Sequence, residues 1–122
     1  MALTVMTVDD SRTMRDMVSY TLKEAGYNVL EAEDGQQALS VLNGQRADVV
    51  ITDLNMPNMD GISLIKELRA KPDYKATPIL MLTTEADDTK KGAGREAGAT
   101  GWIVKPFNPE KLLAVVNKVV GA

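Results

Sequence analysis

Cysteine and histidine are both absent from the 122 residues. Their absence removes structural zinc, iron–sulfur ligation, thiol redox chemistry, a histidine-based catalytic triad and any phosphohistidine carried on this chain. Positive charge is in deficit, with 14 Lys and Arg against 17 Asp and Glu and a net charge of −3. That is the wrong sign for a protein held on nucleic acid or on an anionic membrane by counterion release, so a protein or small-ion partner is expected. The chain has no apolar run long enough to span a bilayer, and no basic stretch precedes Asp9. Neither a signal peptide nor a membrane segment is expected, and the cytoplasm is the default location. Internal repeats, low-complexity stretches and linkers are also lacking, so one domain is expected over residues 1–122. With 44% hydrophobic residues, a chain of this length buries roughly two thirds of its unfolded surface and needs no disulfide or structural metal to fold.

What is present is an alternation of two periodicities. Five β-rich runs, Leu3 to Val8, Asn28 to Ala32, Asp48 to Asp53, Pro78 to Thr83 and Gly101 to Val104, are closed by polar residues or by Gly and Pro. Between the first two, Met14, Met17, Val18, Thr21, Leu22 and Ala25 fall on one face of a helix that opens at Ser11 and stops at Gly26. A second helix begins at Asp34 with Gln37 three residues on, a capping-box pattern, carries Ala38, Leu39 and Leu42 inward and ends at Asn43-Gly44. A third runs from Asp60 to Ala70. The last has Asn108 as N-cap, Pro109 at its first position, and Leu112, Val115, Val116 and Val119 as its buried stripe up to Gly121. The fourth, Asp87 to Ala97, contains Gly92 and Gly94, each costing about 1 kcal/mol against Ala in a helix interior, and is expected to be the softest.

Strict β-α alternation with short connections predicts an α/β fold, a doubly wound five-stranded parallel sheet with helices on both faces. Such sheets carry their sites at the carboxyl ends of the strands. Those ends hold Asp9-Asp10, Asp53, Thr83-Thr84 and Lys105-Pro106. Each has a structural reading: Asp9 and Asp10 as cap residues, Asp53 as a turn residue, Lys105 as a surface charge. Their convergence is chemically demanding, because carboxylates roughly 4 Å apart repel by about 4 kcal/mol at an effective dielectric near 20. A bound cation relieves that repulsion. With only oxygen ligands on offer it should be hard, and a site of few carboxylates suits Mg²⁺, which keeps waters and leaves a position for a phosphoryl oxygen.

Two other motifs fail on context. From Asp53 the spacing begins like a calcium loop but places Asn58 where Gly is needed and Leu64 where a bidentate Glu is needed. Gly92-Ala93-Gly94-Arg95-Glu96-Ala97 matches a dinucleotide fingerprint but lies inside a helical segment, and no Walker A lysine is present. A flavin-binding protein of similar architecture would need a phosphate-binding first loop and aromatic stacking partners, where this chain has Asp9-Asp10 and only five aromatic residues.

Val8-Asp9-Asp10, the run Asp53-Leu54-Asn55-Met56-Pro57-Asn58-Met59-Asp60-Gly61, Met81-Leu82-Thr83 and Val104-Lys105-Pro106-Phe107 closely resemble response-regulator receiver domains along the whole chain. The likeness is strongest to the single-domain chemotaxis regulators of that family. It implies a flavodoxin-like strand order 2-1-3-4-5. It also implies that Asp53 accepts a phosphoryl group from the phosphohistidine of a histidine kinase. Mg²⁺, for which Mn²⁺ can substitute, would be held by Asp10, Asp53 and the carbonyl of Asn55, with Asp9 acting through water. Lys105 and Thr83 would contact the phosphoryl oxygens, and the Lys105-Pro106 bond would be cis. The resemblance makes the chain a non-enzymatic signalling protein that catalyses its own phosphorylation and dephosphorylation, with Asn55, Thr84 and Glu85 setting the rate of phosphoryl loss.

The expected partners are the kinase, a phosphatase, and a target such as the flagellar motor switch on the face formed by the fourth helix, fifth strand and fifth helix. Lys90, Lys91, Arg95, Lys111 and Lys118 would give that face a charge suited to an acidic peptide. Chemotaxis members commonly carry Trp after the phosphoacceptor and Tyr two residues before the Val-Lys-Pro run; here the residues are Leu54 and Trp102. Trp102 reads either as a switching aromatic or as plain core packing. A phosphate sink or relay shuttle without an output target is the alternative to a switch. The sequence closes at Gly121-Ala122, and a DNA-binding effector is not expected within it, although a piece of a longer regulator would look the same.

Overall fold

The computed structural model describes residues 3–54, 56–83, 88–104 and 108–120, with the side chains of 83 and 88–91 left out of the description. Asn55, Thr84, Glu85 and Lys105, together with Pro106 and the side chains of Thr83, Lys90 and Lys91, therefore lie outside it. The elements follow as β1 (Thr4–Val8), α1 (Arg12–Glu24), β2 (Asn28–Ala32), α2 (Gly35–Leu42), β3 (Val49–Asp53), α3 (Gly61–Arg69), a single 3-10 turn (Pro72–Tyr74), β4 (Ile79–Thr83), α4 (Asp88–Ala97), β5 (Gly101–Val104) and α5 (Pro109–Val119).

Every strand pair is parallel and the sheet order is β2-β1-β3-β4-β5. Because successive strand residues point to opposite faces, the apolar runs feed two cores. Met6, Val50, Ile79 and Met81 meet Ala38 and Leu42 of α2, Leu64, Ile65 and Leu68 of α3 and Ala97 of α4 on one face. Val5, Val49, Ile51, Leu80, Leu82 and Ile103 meet Val18 and Leu22 of α1 and Leu112 and Val116 of α5 on the other.

Side-chain caps fix where the helices start. Ser11 Oγ accepts from the Met14 N–H at 3.3 Å, Asp34 Oδ1 from Gln37 at 2.8 Å, Asp60 Oδ1 from Ser63 at 2.7 Å, and Asn108 Oδ1 from Glu110 at 2.8 Å. Asp34 also accepts from the Asn58 side chain at 2.8 Å, tying α2 to the loop before α3. The Gln37 N–H and the Asn58 amide together hold the Asp34 carboxyl below its ordinary value. The expected capping box is offset by one residue, since Gln37 Oε1 accepts from the Glu33 N–H rather than from that of Asp34.

Two features depart from the sequence reading. The buried arc of α1 is Val18, Ser19 and Leu22, rotated toward the Arg15 side; Met17 is 49% exposed and Ala25 is also exposed. Arg15, on the same side of the helix, is turned toward the end of β1 and toward β2, where it donates to the Asp9 carbonyl and to Glu31. The 3-10 turn at Pro72–Tyr74 carries no periodic signal, and Tyr74 nonetheless docks at 4% exposure with the Arg46 guanidinium 5.9 Å above its ring.

The two glycines of α4 have different roles. A Cβ on Gly92 would meet nothing within 4 Å among the described residues, so this position is a plain loss of helix propensity. A Cβ on Gly94 would fall 2.1 Å from Met81 Sδ, and Met81 is fully buried. The missing Cβ of Gly94 thus lets α4 lie close over the buried Met81 side chain, a packing role that the sequence reading did not assign. Gly92→Ala should raise stability by about 1 kcal/mol, whereas Gly94→Ala should lower it by about 1–3 kcal/mol through overpacking. Urea unfolding of the two single variants checks this; equal or greater stability of Gly94→Ala would contradict the packing argument.

Candidate functional site

Parallel pairing of β1 with β3 places Val8 opposite Thr52, so the residues that follow each strand leave the sheet side by side. Asp9 and Asp10 follow β1, and Asp53 ends β3. One carboxylate oxygen from each lies within 4.8 Å of the others. The three differ in access to water: Asp9 is 1% exposed, Asp53 is 9% exposed and Asp10 is open to solvent. Asp10 therefore forms the mouth of the cluster and Asp9 its floor.

Each carboxylate is presented by local backbone geometry. Asp9 donates its N–H to the Ala32 carbonyl at 3.1 Å and accepts the Ser11 N–H on Oδ1 at 2.9 Å, which binds the β1–α1 turn to both neighbouring elements. Asp53 Oδ1 accepts from the Leu54 N–H at 2.9 Å, and the Asp53 carbonyl accepts from the Thr52 hydroxyl at 2.8 Å. Leu54 itself is 5% exposed and belongs to the core, so the chain turns inward immediately after Asp53.

The donor set is three carboxylates and no nitrogen or sulfur, which is the chemistry of a hard divalent cation. One open carboxylate, one nearly buried and one fully buried make an incomplete oxygen shell. That suits Mg²⁺, which retains waters, better than Ca²⁺, which takes six to eight oxygen ligands. The sequence-derived trio Asp9, Asp10 and Asp53 is thus assembled in space. Thr83 ends β4 beside Asp53, through the register Asp53↔Leu82.

Trp102 stands at the centre of β5, opposite Met81 of β4, and packs partly buried against the α2–α3–α4 core. The Arg95 guanidinium lies 5.3 Å from its ring centroid, within cation–π range. Arg95, read from the sequence only as one of the surface cations of the α4–β5–α5 face, is exposed and also lies over Trp102. Gly94 on Met81 and Arg95 on Trp102 are consecutive contacts of α4 on two paired strand residues, and together they seat the helix.

Sequence reasoning assigned no role to two residues at the site. Gly61 opens α3 directly against the end of β3: its N–H donates to the Leu54 carbonyl at 2.9 Å, and a Cβ there would fall 2.2 Å from the Asp53 carbonyl oxygen. The Asp60-Gly61 pair was visible in the motif but carried no assigned role. Arg15 donates through Nη1 to the Asp9 carbonyl at 2.7 Å and through Nε to Glu31 Oε1 at 3.2 Å. The signal for it was electrostatic: a cation near a helix N-terminus opposes the helix dipole and needs a local partner to be favourable.

Comparison with known proteins agrees with this geometry. The family model of the response regulator receiver domain matches residues 5–117. The chemotaxis protein CheY1 of Helicobacter pylori is 42% identical over 119 residues, covering 96% of each chain. A CheY homolog of Campylobacter jejuni is 41% identical over 119 residues, 96% of this chain and 92% of its own. Among solved structures, the chemotaxis response regulator CheY4 of Vibrio cholerae is 51% identical with a TM-score of 0.93, covering 98% of this chain and 99% of its own. The receiver domain of a Pseudomonas aeruginosa sensor histidine kinase, 27% identical with a TM-score of 0.92 and full coverage of both chains, was solved with a magnesium ion coordinated in its active site cleft.

The shelf formed by Gly61 yields a test. Gly61→Ala should push α3 away from the Asp53 carbonyl, lowering stability by about 1–3 kcal/mol and weakening Mg²⁺ binding measured by calorimetry. Gly44→Ala, where a Cβ meets nothing within 4 Å, serves as the neutral control. Unchanged stability and Mg²⁺ binding in Gly61→Ala would mean that α3 does not set the position of Asp53.

Proposed function

The chain belongs to the response regulator receiver family, and we propose that it is a phosphorylation switch with Asp53 as the phosphoacceptor. The observation that carries the proposal is the trio of carboxylate oxygens within 4.8 Å at the exits of β1 and β3. In this reading a carboxylate oxygen of Asp53 attacks the phosphorus of a kinase phosphohistidine; the new O–P bond forms as the P–N bond breaks, and the leaving imidazole takes its proton from water. A carboxylate is a weak nucleophile and the donor is an anion, so the step depends on offsetting negative charge rather than on further covalent chemistry.

Mg²⁺, or Mn²⁺ in its place, supplies that offset when bound, by stabilising the transferring oxygens. Asp10, Asp53 and the carbonyl of Asn55 hold the ion in this proposal, with Asp9 acting through water. Lys105 and the Thr83 hydroxyl contact the phosphoryl oxygens. The buried floor at Asp9 and the inward turn at Leu54 limit water on the inner side of the site, which leaves the open side at Asp10 for the donor. Hydrolysis reverses the modification: a water attacks phosphorus, the Asp53 O–P bond breaks and inorganic phosphate leaves, with Asn55, Thr84 and Glu85 placing that water.

The output lies on the surface of α4, β5 and α5, where Thr83 and α4 are joined by a short connection. Trp102 is the switching aromatic of this surface. Val104 is 42% exposed on β5, Arg95 is exposed on α4, and Lys111 and Lys118 are exposed on α5. An exposed apolar residue on β5 and exposed cations on α4 and α5 would suit an acidic peptide, such as one from a flagellar motor switch protein. The kinase and this target would be met in the cytoplasm.

Incubation with acetyl phosphate and Mg²⁺ should give one acid-labile phosphoryl group on the wild type and none on Asp53→Asn, with the label decaying over seconds to minutes once the donor is removed. Labelling of Asp53→Asn at the wild-type rate, or a half-life of hours, would contradict the assignment. Beryllofluoride should add a binding partner other than the kinase in a pull-down; a phosphate sink would gain none.

A further inference from the structure

The open carboxylate of Asp10 has an unusual support. No hydrogen bond from a described residue reaches it, although it must point toward Asp53 to complete the cluster. Its reach to Asp53 therefore depends on where the backbone places its Cα, since its side-chain torsions are not otherwise held. The carbonyl of Asp9 and the N–H of Asp10 share one planar peptide unit, so an interaction that fixes the Asp9 carbonyl also fixes the orientation of the next Cα.

That interaction is made by Arg15. Its Nη1 donates to the Asp9 carbonyl at 2.7 Å, while its Nε donates to Glu31 Oε1 at 3.2 Å. The Arg15 side chain is only 11% exposed, and its first-turn position on α1 is set by the Ser11 cap, whose carbonyl accepts the Arg15 N–H at 2.9 Å. Glu31 lies on β2 one residue before Ala32, the acceptor of the Asp9 N–H. Arg15 thus closes a bracket in which β2 and α1 grip residue 9 from both sides, and the planar fork of the guanidinium reaches both acceptors at once.

We propose that Arg15 is a positioning residue for Mg²⁺ binding, holding the Asp9–Asp10 peptide so that the Asp10 carboxylate faces Asp53; the proposal rests on the metal-dependent reading of the site given above. Outer partners of this kind orient metal ligands, and their loss typically costs about 10–100-fold in affinity. The sign of the effect separates positioning from charge. Arg15 is a cation beside a carboxylate cluster, so if it acted only through its charge, removing it would strengthen Mg²⁺ binding.

The experiment is Mg²⁺ titration by calorimetry of the wild type, Arg15→Ala, Arg15→Gln, Arg15→Lys, Glu31→Gln and Asp10→Ala, with the Asp10 amide followed by NMR in the metal-free state. Arg15→Ala and Arg15→Gln should each weaken binding about tenfold and broaden or shift the Asp10 amide. Arg15→Lys, which keeps a donor, should recover most of the loss, and Glu31→Gln, which keeps an acceptor for Nε, should change little. Either of the two charge-removing variants suffices if the other does not fold. Binding as tight as or tighter than wild type in them, with Asp10→Ala still losing binding, would overturn the role of Arg15 while leaving the metal site standing. Wild-type Mg²⁺ binding in Asp10→Ala would instead overturn the underlying reading of the site.

Discussion

The close approach of three carboxylates at the ends of two adjacent strands is the constraint around which the candidate site is arranged. Oxygens of Asp9, Asp10 and Asp53 lie within 4.8 Å of one another, a separation at which a pair of unit charges repels by about 3 kcal/mol at an effective dielectric near 20. Asp9 is buried and Asp53 nearly so, and water screens them less than it screens Asp10. The surrounding structure holds them together regardless. Parallel pairing of β1 and β3 sets the spacing, backbone N–H groups of Ser11 and Leu54 each engage one oxygen, and Gly61 allows α3 to close against the Asp53 carbonyl. Carboxylates held this close by the surrounding backbone form a donor set suited to a hard divalent cation.

The same economy of close approach appears on α4. Its apolar residues are small, so large side chains contribute little to its hold on the sheet. It is seated instead by the missing Cβ of Gly94 over Met81 and by Arg95 over Trp102. These contacts fall on the paired residues Met81 and Trp102 of β4 and β5, two positions from Thr83 at the end of β4. An exposed cation–π pair contributes only about 0.5–1 kcal/mol, so the seat is specific in geometry without being strong.

Much of this was legible in the sequence because the physics involved is local. Five β-rich runs, four side-chain caps and the alternation of strand with helix led to the doubly wound sheet, and the rule that such sheets carry their sites at strand carboxyl ends led to Asp9, Asp10 and Asp53. What escaped depends on tertiary approach. Gly92 and Gly94 are indistinguishable by propensity, and only the position of Met81 separates them. Periodicity placed Met17 in the buried arc of α1 because it counts apolar residues, whereas the fold buries the polar Ser19 beside Val18 and Leu22 and leaves Met17 exposed. The turn at Pro72–Tyr74 lacks a period altogether and is anchored by one buried ring.

Thermal unfolding of the wild type and Asp10→Asn, each with and without saturating Mg²⁺, tests the central claim most directly. Removing one charge while keeping the shape should relieve the repulsion, so Asp10→Asn should be more stable than the wild type in the absence of the ion. The wild type should gain stability with Mg²⁺ as ligand linkage requires, and Asp10→Asn should gain little. A metal-free Asp10→Asn protein no more stable than the wild type, or one with an undiminished response to Mg²⁺, would contradict a site built on opposed carboxylates.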